Sequence, residues 1–113
     1  MASVLIEVYG RVQGVNFRVM TKKFADSLGV RGCVMNRTKG SVLIHAQGAK
    51  ESIKKLILWI KGSPGLSSVD RVVVRKLQEE MRYNDFTIVR EGFFKDQVNS
   101  FGNLGRRLFG EGF

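Results

Sequence analysis

Strand-like and helical patterns alternate in a fixed order along residues 1–90, and this order restricts the fold more than any other feature of the sequence. Apolar residues at helical spacing predict amphipathic helices, and runs of β-branched residues bounded by glycine predict strands. The predicted strands cover residues 4–9, 30–36, 41–47, 68–77 and 86–90, and the predicted helices cover residues 17–28 and 50–61. The order is therefore β-α-β-β-α-β, followed by a short terminal strand.

This order matches the split βαβ, or ferredoxin-like, arrangement. We therefore predict an α+β sandwich with two helices on one face of a mainly antiparallel sheet. The chain has 113 residues, of which 43% are hydrophobic and 26% are charged, so a single globular domain is expected and two large domains are excluded. The apolar run at residues 56–60 is far too short to span a bilayer.

The charge of the chain predicts an anionic partner. The formal net charge is +9, and residues 91–113 contribute none of it because their acidic and basic residues are equal in number. The excess therefore belongs to the predicted domain and not to a basic tail. A nucleic acid, a phosphorylated small molecule and an acidic surface all satisfy this charge.

The chain has one cysteine, Cys33, and one histidine, His45. An intrachain disulfide is therefore excluded, and one chain cannot assemble a zinc site of the finger type. Nothing near His45 in the sequence supports a nucleophilic centre that uses it. We predict that Cys33 packs as a small hydrophobic residue and that His45 faces solvent, because its neighbours in the third strand claim the core face.

A loop with glycine at both ends, residues 10–14, connects the first predicted strand to the first predicted helix. The first backbone N–H groups of a helix lack intrahelical partners and lie at the positive end of its dipole, so an anion is stabilised there. Gly14 permits the backbone to curl, and Arg18 adds a guanidinium group with two parallel donors. The alternative is an ordinary βα turn in which Gly14 only allows the bend. The Walker and dinucleotide-binding patterns are both absent.

Two runs of the sequence resemble the signatures of the acylphosphatase family. Residues 10–18, Gly-Arg-Val-Gln-Gly-Val-Asn-Phe-Arg, are similar to the first signature, and residues 32–42, Gly-Cys-Val-Met-Asn-Arg-Thr-Lys-Gly-Ser-Val, are similar to the second. The resemblance extends over roughly residues 4–90 in order and with few gaps. Cys33 and Lys39 depart from the usual pattern, and their roles, like that of Arg11, stay open.

The resemblance implies hydrolysis of the carboxyl–phosphate bond of acyl phosphates, with no metal or cofactor. It implies that the loop amides and Arg18 bind the phosphoryl group and that Asn36 orients the attacking water. The implied phosphate-binding residues are Gln13, Gly14, Val15, Asn16, Phe17 and Arg18. Without the resemblance, Asn36 is an ordinary strand-end residue that hydrogen-bonds to the hairpin backbone.

We expect residues 1–90 to form the acylphosphatase-like domain and residues 91–113 to form a Phe- and Gly-rich extension that is either mobile or packed on the sheet. The N-terminus lacks a leader pattern, which predicts a cytoplasmic protein without a membrane partner. A monomer is expected. The alternatives are a nucleic-acid-binding module and a non-catalytic domain that binds acyl or carbamoyl phosphate. The first is disfavoured because Tyr9 is the only aromatic residue on the two central strands.

Overall fold

The structure is a computed structural model that describes residues 1–78 and 82–91. The elements are β1 (Ala2–Arg11), α1 (Phe17–Leu28), β2 (Arg31–Asn36), β3 (Val42–Gly48), α2 (Lys50–Lys61), β4 (Ser68–Lys76) and β5 (Phe86–Ile88). Both helices have the predicted bounds. The predicted order of elements is confirmed. Strand β1 is longer than predicted, because its pairing with β3 begins at Ala2 and its pairing with β4 continues to Arg11.

The five strands form one sheet in the order β4-β1-β3-β2-β5. Neighbouring strands are antiparallel except β2 and β5, which are parallel. Helix α1 packs against β2 and β5, and α2 packs against β3 and β4. The predicted α+β sandwich is therefore confirmed. No helix in the described ranges is long and apolar enough to cross a membrane.

The main core lies between the helices and one face of the sheet. In β1 this face is formed by Val4, Ile6 and Val8, which lie opposite alternate residues of β3. The predicted stripe of α2 is buried at all four positions, Ile53, Leu56, Ile57 and Ile60. Burial of each such side chain stabilises the fold by about 1.5–3 kcal/mol relative to exposure.

Trp59 fills the space between the two helices, beside the predicted stripe of α2. Its ring is stacked on Phe24 at a centroid distance of 4.8 Å and on Phe17 at 6.2 Å. Phe17 is fully buried and is the first residue of α1. The aromatic stack therefore helps to hold the N-terminal turn of α1 against the rest of the domain.

The opposite face of the sheet carries a second, smaller core, and here one prediction is wrong. Cys33, Met35 and Leu43 are buried on this face, with Tyr83 packed against them. His45, which we expected to face solvent, is only 1% exposed. The strand alternation was correctly predicted, but Tyr83, which precedes β5, lies over this part of the sheet and covers the imidazole. Burial lowers the pKa of His45 to about 4.

The strand order places the carboxyl ends of β1 and β2 at the same edge of the sheet. Both strands are antiparallel to β3, which lies between them, so they run parallel to each other. Val42 of β3 pairs with Val8 on one side and with Asn36 on the other. The segment that leaves β1 and the hairpin that leaves β2 therefore emerge at the same end of the sheet, on either side of β3.

Candidate active site

The anion loop, defined as residues 12–16, connects β1 to α1 at this edge. Two of its residues have left-handed backbone conformations, Gly14 with φ 74° and Asn16 with φ 65°. Asn16 is the N-cap of α1, yet its side chain makes no capping hydrogen bond. A Cβ atom at Gly14 would meet nothing within 4 Å, so the backbone conformation, and not lack of space, favours glycine there.

Backbone donors are available where the anion loop enters α1. The first hydrogen bond of the helix runs from the N–H of Met20 to the carbonyl of Asn16. Within the described ranges, the N–H groups of residues 14–18 donate to no acceptor. Free N–H groups at the positive end of a helix dipole form a ready site for one phosphate-sized anion. The first turn contains no acidic residue that would compete for it.

Arg18 is the second residue of α1, so it lies in the same turn as these donors. Its side chain is half-buried. No ion pair in the part of the chain that the structure describes involves its guanidinium group. A half-buried guanidinium without a carboxylate partner is suited to bidentate contact with a phosphoryl group.

Asn36 is the last residue of β2 and lies on the sheet face that carries the helices, since it pairs with Val42 of the main core. Its Oδ1 atom is buried and has no hydrogen-bond partner among the described residues. The hairpin that follows is closed by backbone bonds between Arg37 and Ser41 and between Gly40 and Arg37. The side chain of Asn36 is therefore not used to satisfy the hairpin backbone and is left with an unused acceptor.

The side chain of Gln13 contacts the hairpin, a contact that the sequence did not predict. Its side-chain Nε2 donates to the carbonyl of Arg37 at 2.7 Å and to the carbonyl of Ser41 at 3.0 Å. Only its backbone N–H is left for an anion. The side chains of Val15 and Phe17 also point into the core, so the loop can contribute to phosphate binding mainly through its backbone.

Glu7 contacts the hairpin that follows Asn36 from the opposite face of the sheet, and sequence reasoning missed it. Its Oε2 atom accepts hydrogen bonds from Ser41 Oγ at 2.6 Å and Arg37 Nη1 at 3.0 Å, and Lys39 Nζ lies 3.2 Å away. Burial alone would raise the pKa of Glu7, but the hydrogen bonds from Ser41, Tyr9 and Lys39 and the charge of Arg37 lower it. The Glu7 carboxylate is thus held in its ionised form by contacts with three residues of the hairpin.

The signal that could have revealed Glu7 is its place in the strand pattern. It stands between Leu5 and Tyr9 on the second face of β1, where an uncompensated carboxylate would be costly once the face is covered. The predicted hairpin between the second and third strands has two cationic residues that could compensate such a charge, Arg37 and Lys39. Lys39, whose role was open, is an ion-pair partner of Glu7. Arg11 is exposed at the end of β1, and no contact in the described residues assigns it a role.

Glu91 holds the hairpin from another direction. Its Oε1 atom accepts hydrogen bonds from the backbone N–H of Thr38 at 2.8 Å and from Thr38 Oγ1 at 2.5 Å. These bonds lower the pKa of Glu91. The predicted domain boundary at residue 90 therefore separates Glu91 from a hairpin that it contacts, and the rest of the predicted extension lies outside the described residues.

Together these features define a class of protein: a small α+β domain in which, among the described residues, free backbone N–H donors at a helix N-terminus lie at the same end of the sheet as an unpaired amide oxygen. The described residues contain no group of three or more His, Cys, Asp or Glu side chains that could hold a metal ion.

Comparison with known proteins identifies the family. The family model for Acylphosphatase matches residues 4–88. Acylphosphatases of Shewanella amazonensis and Thermotoga maritima are 45% and 42% identical, over 91 and 88 residues, which is 80% and 78% of this chain and 99% and 97% of those proteins. The crystal structure of acylphosphatase from Bacillus subtilis superimposes with a TM-score of 0.76 at 32% identity, covering 79% of this chain and 99% of that one. The chain belongs to the acylphosphatase family.

Proposed function

We propose that this protein is an acylphosphatase that hydrolyses the carboxyl–phosphate bond of small acyl phosphates and releases a carboxylate and inorganic phosphate. The observation that carries the proposal is the juxtaposition, at one sheet edge, of free helix N-terminal donors and Arg18 with the unpaired Oδ1 of Asn36. The family match and the relatives' names support the same reaction.

In this proposal the backbone N–H groups of residues 14–18 and the guanidinium of Arg18 bind the phosphoryl oxygens. Phosphoryl transfer is catalysed mainly by positioning and by stabilising the charge on these oxygens. Preorganised donors in a half-buried site need no rearrangement as the charge develops. Removing one such donor typically costs about 10²–10³ in kcat.

Asn36 orients the attacking water. Its free Oδ1 accepts a hydrogen bond from the water, and the amide nitrogen is a donor for an oxygen of the water or the phosphoryl group. Holding the water in line with the scissile bond lowers the entropic part of the activation barrier, because the attacking oxygen is already positioned. The oxygen of the water bonds to phosphorus, the bond between phosphorus and the carboxyl oxygen breaks, and the electron pair leaves with the carboxylate. Both protons of the water stay on oxygens of the released phosphate.

The leaving group explains why so few side chains are sufficient. A carboxylate is a stable anion, so no strong general acid is needed to protonate it as it leaves. His45 could not act as one in any case, because it is buried on the opposite face with its Nε2 against Ser3 and its Nδ1 against Tyr83. The proposed reaction is independent of metal ions, since backbone donors and Arg18 supply the charge stabilisation.

The alternative functions receive less support. A sheet surface that stacks bases needs exposed aromatic residues on the central strands, and Tyr9 is the only one there. It is already covered by Arg71, whose guanidinium carbon lies 4.3 Å from the ring centroid. A domain that only binds acyl phosphate has no use for a buried, unpaired amide oxygen beside the anion site.

The test is a hydrolysis assay with benzoyl phosphate in the presence of EDTA, with p-nitrophenyl phosphate as a monoester control. We expect hydrolysis of the anhydride, little or none of the monoester, and competitive inhibition by inorganic phosphate. Activity that is lost in EDTA and restored by Mg²⁺ or Zn²⁺ would contradict the mechanism. We also propose that the protein acts as a cytoplasmic monomer, which size-exclusion chromatography with light scattering and cell fractionation would test.

A further inference from the structure

The side chain of Gln13 connects two separate elements of the site. Gln13 belongs to the anion loop, whereas its acceptors, Arg37 and Ser41, are the two ends of the hairpin turn that follows β2. Arg37 is the residue directly after Asn36 and is paired with Ser41 through its own backbone N–H at 2.8 Å. The two hydrogen bonds of Gln13 therefore reach the backbone beside Asn36.

The geometry of these bonds is specific to a primary amide. The NH2 group of glutamine has two hydrogens, and both are used, one on each carbonyl. Both acceptors are backbone carbonyls, so neither hydrogen bond of the Gln13 side chain involves a charged or titrating group. The bonds also span 24 and 28 positions in the sequence, so they fix the distance between elements that the local backbone does not connect.

We propose that Gln13 is a positioning residue that holds the anion loop in register with the hairpin bearing Asn36, and that this register sets the rate of the chemical step. The inference rests on the proposed hydrolysis. It gives the Gln13 side chain a role separate from the phosphate binding expected of the loop amides, because both of its donors are engaged by the hairpin. The phosphoryl group is bound by the loop and Arg18, the water is bound by Asn36, and Gln13 aligns one with the other.

The predicted consequence is a split between catalysis and binding. The loop donors, Gly14 and Arg18 remain in place without the Gln13 amide, so the affinity for inorganic phosphate changes little. The water held by Asn36 loses its alignment, and a misplacement of about 1 Å can cost about 10²-fold in rate. Gln13→Met, which keeps the length of the side chain and removes both donors, is expected to lower kcat by about 10- to 100-fold.

The experiment compares Gln13→Met with Gln78→Met, whose glutamine is exposed just after β4. For each variant kcat for benzoyl phosphate and the inhibition constant of inorganic phosphate are measured. We expect a lower kcat with an inhibition constant within about threefold of the parent for Gln13→Met, and no change in either for Gln78→Met. An unchanged kcat for Gln13→Met would overturn the proposal, as would a large rise in its inhibition constant with kcat preserved. Gln13→Leu, which also lacks both donors and adds no charge beside the anion loop, replaces Gln13→Met if that variant fails to fold.

A double-mutant cycle with Asn36→Ala tests the route of the effect. If Gln13 acts through the water held by Asn36, then Gln13→Met has little further effect on kcat once Asn36 is removed. If Gln13→Met lowered kcat by the same factor in the parent and in Asn36→Ala, Gln13 would act independently of Asn36, against the proposal.

Failure of the proposed function is seen separately, as a parent protein that does not hydrolyse benzoyl phosphate. In that event amide hydrogen exchange decides the role of Gln13. Saturating phosphate is expected to slow exchange at Arg37 and Gly40 in the parent and not in Gln13→Met. Equal slowing of exchange by phosphate in the parent and in Gln13→Met would overturn the proposal that Gln13 couples the anion loop to the hairpin.

Discussion

The hydroxyl of Tyr83 lies 3.0 Å from Nδ1 of His45, with the two rings edge to face at a centroid distance of 5.1 Å. The same hydroxyl accepts a hydrogen bond from the thiol of Cys33 at 3.5 Å. Through these contacts the segment leading into β5 covers the second face of the sheet. The buried thiol has its pKa raised to about 11 by desolvation, so Cys33 is a packing residue, as predicted, and not a nucleophile.

The buried imidazole predicts how stability depends on pH. The pKa of His45 is about 4 in the fold, against 6.5 for the free group, so the unfolded chain binds more protons between these values. Stability should therefore fall as the pH falls from about 6.5 towards 4, by up to about 3 kcal/mol. Urea unfolding measured at several pH values checks this.

The upper part of that range isolates the histidine, because most carboxylates titrate below about pH 5. The dependence between pH 6.5 and 5 should be reduced in His45→Gln. A parent protein whose stability is constant over this interval would show that His45 is not held neutral by burial.

Arg18→Ala is expected to reduce hydrolysis of benzoyl phosphate by at least about 10²-fold and to weaken inhibition by inorganic phosphate, because a charged pair of donors is lost from the anion site. The matched control is Arg31→Ala, which removes an exposed arginine at the start of β2, away from the edge that carries the site. If Arg18→Ala retained the phosphate affinity of the parent, Arg18 would not be a phosphate ligand.

Asn36→Ala should reduce kcat to a similar degree and leave the inhibition constant of phosphate close to that of the parent, since a group that orients water acts on the chemical step. Asn84→Ala, at an exposed position before β5, serves as the control. Substantial kcat in Asn36→Ala would exclude Asn36 from the role proposed for it.

Glu7→Gln is expected to destabilise the domain by about 1–3 kcal/mol, because a half-buried ionic acceptor is replaced where Ser41, Arg37 and Lys39 converge. Denaturant unfolding at neutral pH measures this, with Glu51→Gln on the exposed surface of α2 as the control. Equal stability of Glu7→Gln and the parent would mean that the contacts around Glu7 add nothing to the fold.

A chain that ends at Glu91 should fold and keep its hydrolytic activity, because the described domain and every proposed site residue lie before that point. A chain that ends at Arg90 loses the carboxylate that bonds to Thr38, so its melting temperature should be lower than that of the longer form. Circular dichroism and the benzoyl phosphate assay compare the two. A folded but inactive chain ending at Glu91 would place part of the site in residues 92–113.

Local patterns were sufficient to predict the elements and the neighbourhood of the site. Helix periodicity predicted both helices with their bounds, because the buried stripe of an amphipathic helix recurs within a few residues. The glycine loop before α1 and the position of Asn36 at a strand end were also visible, since each depends on residues adjacent in the chain. Alternation in β3 predicted that Val42, Ile44 and Ala46 face the main core, and this face assignment is confirmed.

Only the tertiary structure decided what covers each face and which elements are joined. His45 is buried by Tyr83, which is 38 positions away, and Glu7 is satisfied by hairpin residues at least 30 positions away. The amide of Gln13 is engaged by carbonyls 24 and 28 positions away. Such contacts have no periodic signature in the sequence, because they depend on the order of the strands and on the path of the connections. A polar side chain in a strand or loop gives the same sequence pattern whether its partner is water or a distant residue.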